Sequence, residues 1–428
     1  MKSDKLFLSS NYVLRIDKLN SWISDLKSGA IFPINESAKD LLVNLVSSHS
    51  LSATLKELDK KYVNNNLEQN AEKFVSDLLR KEILTNNVYP KVNNQFFNLD
   101  NISLRSLHLH ICGDCNHNCI FCYSALKPKS IPINILENVI LKCIKSLGTY
   151  SIGLSGGEPL LYDKFSSIID TIVTQNCHCT IFSNASTYKS EFIKYLKTTN
   201  RISFSFSLHT LSLSIHKRIS RSGTKLNQII NNIEKFKNDG FQFRIGSVFV
   251  KDFNDDLQEI EKLFKYIKLL SPDQYSYTFF VPMGASSNRK NLIPNLDKIE
   301  KIELLYKEIF KQQNPEYDLC DTKLLNNQLR PCELGYGILN INEDGTITPC
   351  PSLQLVELGN IYKDDIEDIW HNSLWLKNYR ELKFINLEKC NSCKYFNICR
   401  GGCRGIAMSL SGSITSPDLY SCYKFNFN

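Results

Sequence analysis

The chain has 428 residues, 42% of them hydrophobic and 22% charged, which is ordinary for a globular fold and long enough for two or three domains. No stretch approaches the roughly 20 consecutive apolar residues of a membrane span, and Met1-Lys-Ser-Asp-Lys5 lacks the apolar run of a secretory signal, so a cytoplasmic protein is expected. The net charge of +7, from 51 Lys and Arg against 44 Asp and Glu, is spread without blocks of like sign and points to solvated helix faces rather than to a nucleic-acid partner.

In chain order, Tyr12 to Ile16 alternates like a strand, and Gly29 to Ile34 reads as its hairpin partner. Ala38, Leu41, Leu42, Leu45 and Val46 share one helical face, Thr54 and Glu57 have capping-box spacing, and Ala71, Phe74, Val75, Leu78 and Leu79 mark a third helix ending near Ile83. The Asn-rich run from Val88 to Leu99 reads as a linker. Strands are then expected at 104–111, 151–155, 178–183, 202–207, 242–250 and 275–281. Helices separate them, one of which carries Leu136, Val139, Ile140, Cys143, Ile144 and Leu147 on one face. This rhythm predicts an α/β fold with parallel strands, right-handed crossovers and an open, partial (β/α)6 barrel. Beyond about Lys311 the rhythm stops and eight of the fifteen cysteines appear among Gly, Asn and Pro, a composition that needs bound metal as a staple.

Fifteen cysteines without an export signal exclude a disulfide framework as the first reading and favour metal or redox chemistry. Cys112-Gly-Asp-Cys115-Asn-His-Asn-Cys119-Ile-Phe-Cys122 follows the first barrel strand, so Cys115, Cys119 and Cys122 form C-x3-C-x2-C at the strand's C-terminal end, where barrels keep their chemistry. Three thiolates on a 4Fe–4S cluster leave one iron open to a small molecule. A zinc site or redox thiols is the competing reading, because C-x2-C pairs are common around zinc.

With Phe121 before the last cysteine and Gly156-Gly157-Glu158-Pro159 ending the second strand, the pattern resembles the radical S-adenosylmethionine (SAM) superfamily. The resemblance implies that Cys115, Cys119 and Cys122 hold the cluster, that its open iron binds the amino and carboxylate groups of SAM, and that Gly156, Gly157 and Glu158 meet the SAM amino group. It further implies Ser183, Asn184 and Ser207 as SAM contacts and Arg221 as partner of the SAM carboxylate, with Arg218 the competing register. His209 stands where many relatives carry Asp.

The spacing Cys332-x12-Gly345-x4-Cys350, then Cys390-x2-Cys393-x5-Cys399-x3-Cys403 and finally Cys422 resembles the SPASM extension of peptide-modifying radical SAM enzymes. That likeness implies two auxiliary 4Fe–4S clusters, one on Cys332, Cys350 and Cys403 and the other on Cys390, Cys393, Cys399 and Cys422. Either Cys320 completes the first set or that iron stays open to a substrate thiolate. Cys112, Cys143, Cys177 and Cys179 match no motif, and Cys143 belongs to a core face.

The N-terminal strands and helices resemble the winged-helix-like peptide-recognition domain related to the pyrroloquinoline-quinone peptide chaperone, which implies that a leader peptide adds as a strand to an exposed sheet edge. A winged-helix nucleic-acid binder is the alternative, opposed by a third helix that has Lys73, Arg80 and Lys81 but no dense basic stripe. The expected division is a leader reader at 1–95, a radical SAM barrel at 96–310 and a SPASM domain at 311–428. The implied activity is reductive cleavage of SAM to methionine and a 5′-deoxyadenosyl radical that takes hydrogen from a precursor peptide, with a flavodoxin or ferredoxin type reductant. The favoured product is a thioether between Cys sulfur and carbon. Relatives of this layout also form carbon–carbon crosslinks, epimerise peptides or oxidise Cys or Ser in sulfatases, and a non-catalytic, metal-stabilised leader carrier is the reading of a different class.

Overall fold

The computed structural model describes residues 5–62, 66–87, 96–124, 129–310, 332–382, 386–390 and 392–426. At the N-terminus, β1 (Phe7–Leu8) pairs with β5 (Leu84–Thr85), while β2 (Tyr12–Ile16), β3 (Ser21–Asp25), β4 (Ile31–Pro33) and β6 (Phe96–Asn98) form a sheet of order β4-β3-β2-β6. The hairpin partner of β2 is therefore β3 and not the 29–34 segment, which pairs with β3 as an outer strand. The short turn explains it: the Asp17 carboxylate accepts from the N–H groups of Leu19 and Asn20, both at 2.8 Å, and folds the chain straight back. A second correction concerns the expected linker, whose end, β6, runs parallel to β2; the rest of it, 88–95, lies outside the described residues.

Helices α1 (Glu36–Ser48), α2 (Leu51–Leu58) and α3 (Leu67–Arg80) close one face of this sheet, burying Leu41, Leu42 and Leu45 from the first and Ala71, Val75 and Leu78 from the third against Leu14 and Ile23. Thr54 does not cap. It is buried inside α2, whose N-cap is Ser50, accepting from the Ala53 N–H at 3.4 Å.

The barrel strands β7 (Ser106–Cys112), β8 (Ser151–Gly156), β9 (His178–Ser183), β10 (Ile202–Ser207), β11 (Gln242–Phe249) and β12 (Gln274–Phe279) are all parallel, as the helices between them require. Helix α4 (Ile133–Leu147) covers them with Leu136, Ile140, Ile144 and Leu147, and Cys143 is buried among these, a core residue. The parallel rhythm does not end at 311. β13 (Ile338–Ile341) adds to β7 in parallel, with Ile338 opposite Ser106, and β14 (Thr346–Thr348) and β15 (Gly359–Asn360) continue the sheet antiparallel to nine strands. This hides the main-chain groups that β7 would otherwise leave unpaired at an edge.

The N-terminal unit docks on the end of the barrel where its strands begin. Buried Arg15 donates to Ser24 Oγ at 2.9 Å and to the Gly148 carbonyl at 3.4 Å, and its guanidinium lies 4.8 Å from the Tyr150 ring. His178, the first residue of β9, has Nδ1 3.1 Å from the Leu26 carbonyl oxygen, and Ser103 Oγ donates to Asp17 at 2.6 Å. Among the described residues no helix is long and apolar enough to cross a membrane.

Candidate active site

The loop after β7 is pinned from below. The N–H groups of Asn118 and Ile120 donate to the carbonyls of Ser220 and Ile219 at 2.8 and 2.9 Å, and Ile120 packs on Ile219, Val250 and Phe280. So held, Cys115, Cys119 and Cys122 share the wall of one cavity of about 720 Å³ at the C-terminal ends of the barrel strands. Burial pushes all three thiols up, Cys122 to about 11, so a bound cation is needed to hold them as thiolates.

Gly156 and Gly157 stand in the same wall. The Gly157 N–H donates to the Cys112 carbonyl at 2.7 Å and the Glu158 N–H to that of Asp114 at 2.9 Å, lacing the end of β8 to the cysteine loop. A side chain has no room there: a Cβ on Gly157 would fall 2.5 Å from the Asp114 carbonyl carbon, and Gly156 also has φ +132°.

Glu158 is fully buried and does not itself line the cavity. Its carboxylate accepts from Ser183 Oγ at 2.9 Å, the Asn184 N–H at 2.8 Å and the Leu160 N–H at 3.2 Å, and burial, partly offset by these donors, pushes its pKa up to about 7. Asn184 in turn donates to Asn116 Oδ1 at 2.9 Å, so the carboxylate organises the ground beneath the cysteine loop. Ser183, Asn184 and Ser207 are wall residues.

His209 also lines the cavity, its Nδ1 accepting from the Val248 N–H at 3.0 Å while its ring meets Phe121 edge-on at 4.6 Å. Burial holds it down at about 3, hence neutral. Neither arginine expected near the SAM carboxylate stands in the wall. Arg221 is exposed, ending its helix with φ 48°, and Arg218 donates to the Asp252 carbonyl at 3.1 Å with its guanidinium 4.8 Å from the Phe253 ring.

In the C-terminal region, Cys390, Cys393, Cys399 and Cys422 line a second cavity of about 290 Å³. Cys332, Cys350 and Cys403 form a separate group: burial, then Cys403 and Cys332, raise the Cys350 thiol to about 12. Cys320 lies outside the described residues. Among the described residues no three of these groups converge on a single ion; the ligands of a four-iron cluster each take a different iron and stand apart.

Sequence reasoning missed what braces these loops. Buried Asp418 accepts from the Cys403 N–H at 2.9 Å and from Ser421 Oγ at 2.7 Å, and fully buried Arg404 donates to the carbonyls of Ile414 and Ser416 at 3.0 and 2.8 Å and to that of Gly401. It also missed a polar chain behind Tyr123, whose hydroxyl lies 3.1 Å from His110 Nε2, with His110 Nδ1 3.5 Å from Glu343 of the C-terminal extension. The Ser416-Pro417 turn dipeptide before Asp418 was the one available signal.

A partial barrel with a three-thiol loop over its mouth and two further thiol groups beside it defines an iron–sulfur enzyme. Residues 109–267 match the radical SAM superfamily and residues 332–394 match the SPASM iron–sulfur cluster-binding domain, so the chain is a radical SAM enzyme that carries a SPASM domain. Its radical SAM domain binds SAM and a 4Fe–4S cluster, and its SPASM domain binds auxiliary iron–sulfur clusters. The chain is similar to the AdoMet-dependent heme synthase of Oleidesulfovibrio alaskensis, 21% identical over 75% of this chain and 87% of that protein. It is also similar to the cysteine-type anaerobic sulfatase-maturating enzyme of Clostridium novyi, 23% identical over 71% and 88%. In fold it resembles Streptococcus suis SuiB, crystallised with the precursor peptide SuiA, at a TM-score of 0.68 and 19% identity, covering 97% of this chain and 99% of that one.

Proposed function

We propose that this enzyme modifies a ribosomally made precursor peptide, joining a Cys sulfur to a carbon as a thioether crosslink. The observation that carries the reading is the shared cavity: the wall that bears Cys115, Cys119 and Cys122 also bears Pro351, Ser352 and Ile406 of the cysteine-rich C-terminal region, which leaves room for a peptide between the two cluster regions. When bound, the cluster and SAM would supply one-electron cleavage to methionine and a 5′-deoxyadenosyl radical able to take one hydrogen atom from a peptide carbon, and C–S bond formation would then release the thiol proton and pass the second electron to an auxiliary cluster of the SPASM domain.

In this reading Cys115, Cys119 and Cys122 are the ligands of the SAM-binding cluster. Gly156 and Gly157 give SAM a close approach to main chain, Ser183, Asn184 and Ser207 offer it hydrogen bonds, and Glu158 positions Ser183 and Asn184. Arg221 reaches the SAM carboxylate only by leaving its exposed place, and Arg218 remains its competitor. Cys332, Cys350 and Cys403, with Cys320 or an open iron, hold one auxiliary cluster, and Cys390, Cys393, Cys399 and Cys422 hold the other. The segments 1–95, 96–310 and 311–428 act as leader reader, barrel and auxiliary-cluster domain, and a flavodoxin or ferredoxin type protein supplies electrons.

The leader reading is supported by β4, an outer strand with exposed Ile31 and Phe32, and by the likeness to SuiB, which extends over nearly all of this chain. Similarity to the sulfatase-maturating enzyme favours a second reading, oxidation of Cys or Ser in a sulfatase, but that match leaves more than a quarter of the chain unaccounted for.

Anaerobic incubation of the reconstituted enzyme with dithionite and SAM should release 5′-deoxyadenosine, and a small peptide encoded nearby and co-expressed should lose a pair of hydrogen atoms per crosslink. Joint replacement of Cys115, Cys119 and Cys122 by Ala should abolish both. No release from protein with intact clusters overturns the reading, and conversion of a sulfatase peptide with the neighbouring peptide unchanged selects the second one.

A further inference from the structure

Cys399-Arg-Gly-Gly-Cys403-Arg404 places an arginine directly after each of two cysteines of the C-terminal region. Arg400, Gly401 and Gly402 all carry positive φ, at 53°, 84° and 70°, so the chain curls tightly between those cysteines. Arg404 is fully buried. Its Nη1 and Nη2 donate to three main-chain carbonyls, but its Nε–H has no partner. Arg400 is half-buried, with Nε and Nη2 both shut off from solvent and both unpartnered. Among the described residues neither guanidinium has a carboxylate within ion-pair distance.

Arginine keeps its charge at any pH a protein meets, and burying that charge without an anion or a full set of acceptors is costly. The three orphaned nitrogens suit a group that brings its own acceptors. An iron–sulfur cluster held by thiolates is such a group, a net anion whose potential is set in part by hydrogen bonds to its sulfurs. The placement of Arg404 agrees. Gly401 stands in the wall of the cavity that Cys390, Cys393, Cys399 and Cys422 line, and a Cβ added there would come 3.3 Å from Arg404 Nη2, so the guanidinium lies just behind that wall. Its field reaches the site: burial raises the Cys390 thiol, Arg404 opposes the rise and Asp418 adds to it. Asp418 already accepts from the N–H groups of Cys403 and Tyr420 and from Ser421 Oγ, so its own donors hold its charge. Lys389 also lines this cavity, but it is exposed and solvent screens it.

We propose that Arg400 and Arg404 are the counter-cations of the auxiliary clusters, their unpartnered N–H groups donating to cluster sulfur and raising the potential at which an electron is accepted. The inference rests on the assignment of the surrounding thiols to those clusters. The sign follows from charge: reduction adds an electron to a group that is already negative, and a buried cation beside it favours the reduced state. Arg404 serves the cluster on Cys390, Cys393, Cys399 and Cys422. Arg400 lies in the chain between a cysteine of that set and Cys403 of the other. Both residues act through a cluster and touch no substrate.

The test is an anaerobic redox titration of the reconstituted holoenzyme followed by electron paramagnetic resonance, with iron counted in each sample and the SAM-binding cluster recognised by the response of its signal to SAM. Arg400→Gln, which breaks no bond of the fold, should lower the equilibrium constant for reducing an auxiliary cluster about tenfold, as loss of a charge-assisted hydrogen bond implies. For a one-electron couple that is about 59 mV. Arg404→Gln should lower the potential of the cluster on the Cys390 set and also the thermal midpoint, because three carbonyls lose their donor. Arg404→Lys keeps the charge, so it should hold most of the potential while the midpoint still falls. In wild-type enzyme made with arginine carrying nitrogen-15 in its guanidinium, pulsed resonance on a reduced auxiliary cluster should show coupling to that nitrogen. Both auxiliary potentials unchanged in fully loaded Arg400→Gln, no nitrogen coupling in wild type, or an Arg404→Lys shift as large as that of Arg404→Gln overturns the proposal. Should Arg404→Gln fail to load iron, Arg400→Gln and the wild-type coupling decide. Wild-type enzyme with too little iron for two auxiliary clusters overturns the thiol assignment and the proposal together. No step needs a precursor, so failure of the peptide reading, seen as an unchanged mass of the co-expressed peptide, is scored separately.

Discussion

Replacing Gly157 by Ala is the smallest perturbation that reaches the cysteine loop. The new Cβ would lie 2.5 Å from the Asp114 carbonyl carbon and 2.8 Å from the Gly113 carbonyl oxygen, all of it rigid main chain. Ordinary carbon–carbon contact needs about 3.5 Å, so the loop between Cys112 and Cys115 must retreat by about 1 Å. Overpacking of this sort costs about 1–3 kcal/mol of stability, whereas a displacement of that size at a reacting centre lowers the rate about hundredfold. Release of 5′-deoxyadenosine under dithionite, measured beside the thermal midpoint, separates the two effects: a large fall in rate with a modest fall in midpoint is expected. Gly223→Ala, where nothing lies within 4 Å of the added carbon, serves as the control. A Gly157→Ala enzyme as fast as wild type would refute the lacing argument.

Glu158→Gln should change how stability depends on pH. The folded pKa of about 7 lies above the unfolded value of 4.5, so this group's contribution is complete below 4.5 and is lost as pH rises through 7, roughly 3 kcal/mol in all. In the SAM-free enzyme, urea midpoints at pH 5 and pH 8 should differ less for the Gln variant than for wild type, and parallel curves would contradict a buried, raised carboxyl. On the edge strand β4, the bonds from Asp25 N–H to the Ala30 carbonyl and from Ile34 N–H to that of Ser21 turn those groups inward, so the Ile31 main chain faces out. Ile31→Pro removes that outward donor, and affinity for a fluorescent leader peptide should fall about fivefold, the value of one neutral hydrogen bond. Unchanged affinity would place the leader elsewhere.

The barrel was legible because short strands rich in aliphatic and aromatic residues, several with strict alternation, are separated by amphipathic helices, and all six expected strands fall within two residues of their observed ends. What failed depended on a local turn or on partners distant in sequence. Ser21-Trp-Ile-Ser-Asp25 was passed over in favour of Gly29–Ile34, and only the Asp17 turn reveals that it is the nearer partner. β6 and β13 are short and take their identity from β2 and β7, which lie about 80 and 230 residues upstream. At the site, the cysteines and Gly-Gly-Glu could be read from spacing, but not the direction of the Glu158 carboxylate, which follows from burial beside β9.

The docking of the N-terminal sheet through Arg15, Asp17 and His178 has a consequence for the proposed leader site on β4. A strand seated on β4 lies at one end of the barrel and the cysteine loop lies at the other, and β11, with 8 residues, measures the gap at about 26 Å. An extended chain spans at most about 3.5 Å per residue, so at least about seven or eight residues must separate the docked segment from the first modified position. Docking on β4, as proposed, would thus impose a minimum reach, and precursors with shorter spacers should be held yet left untouched.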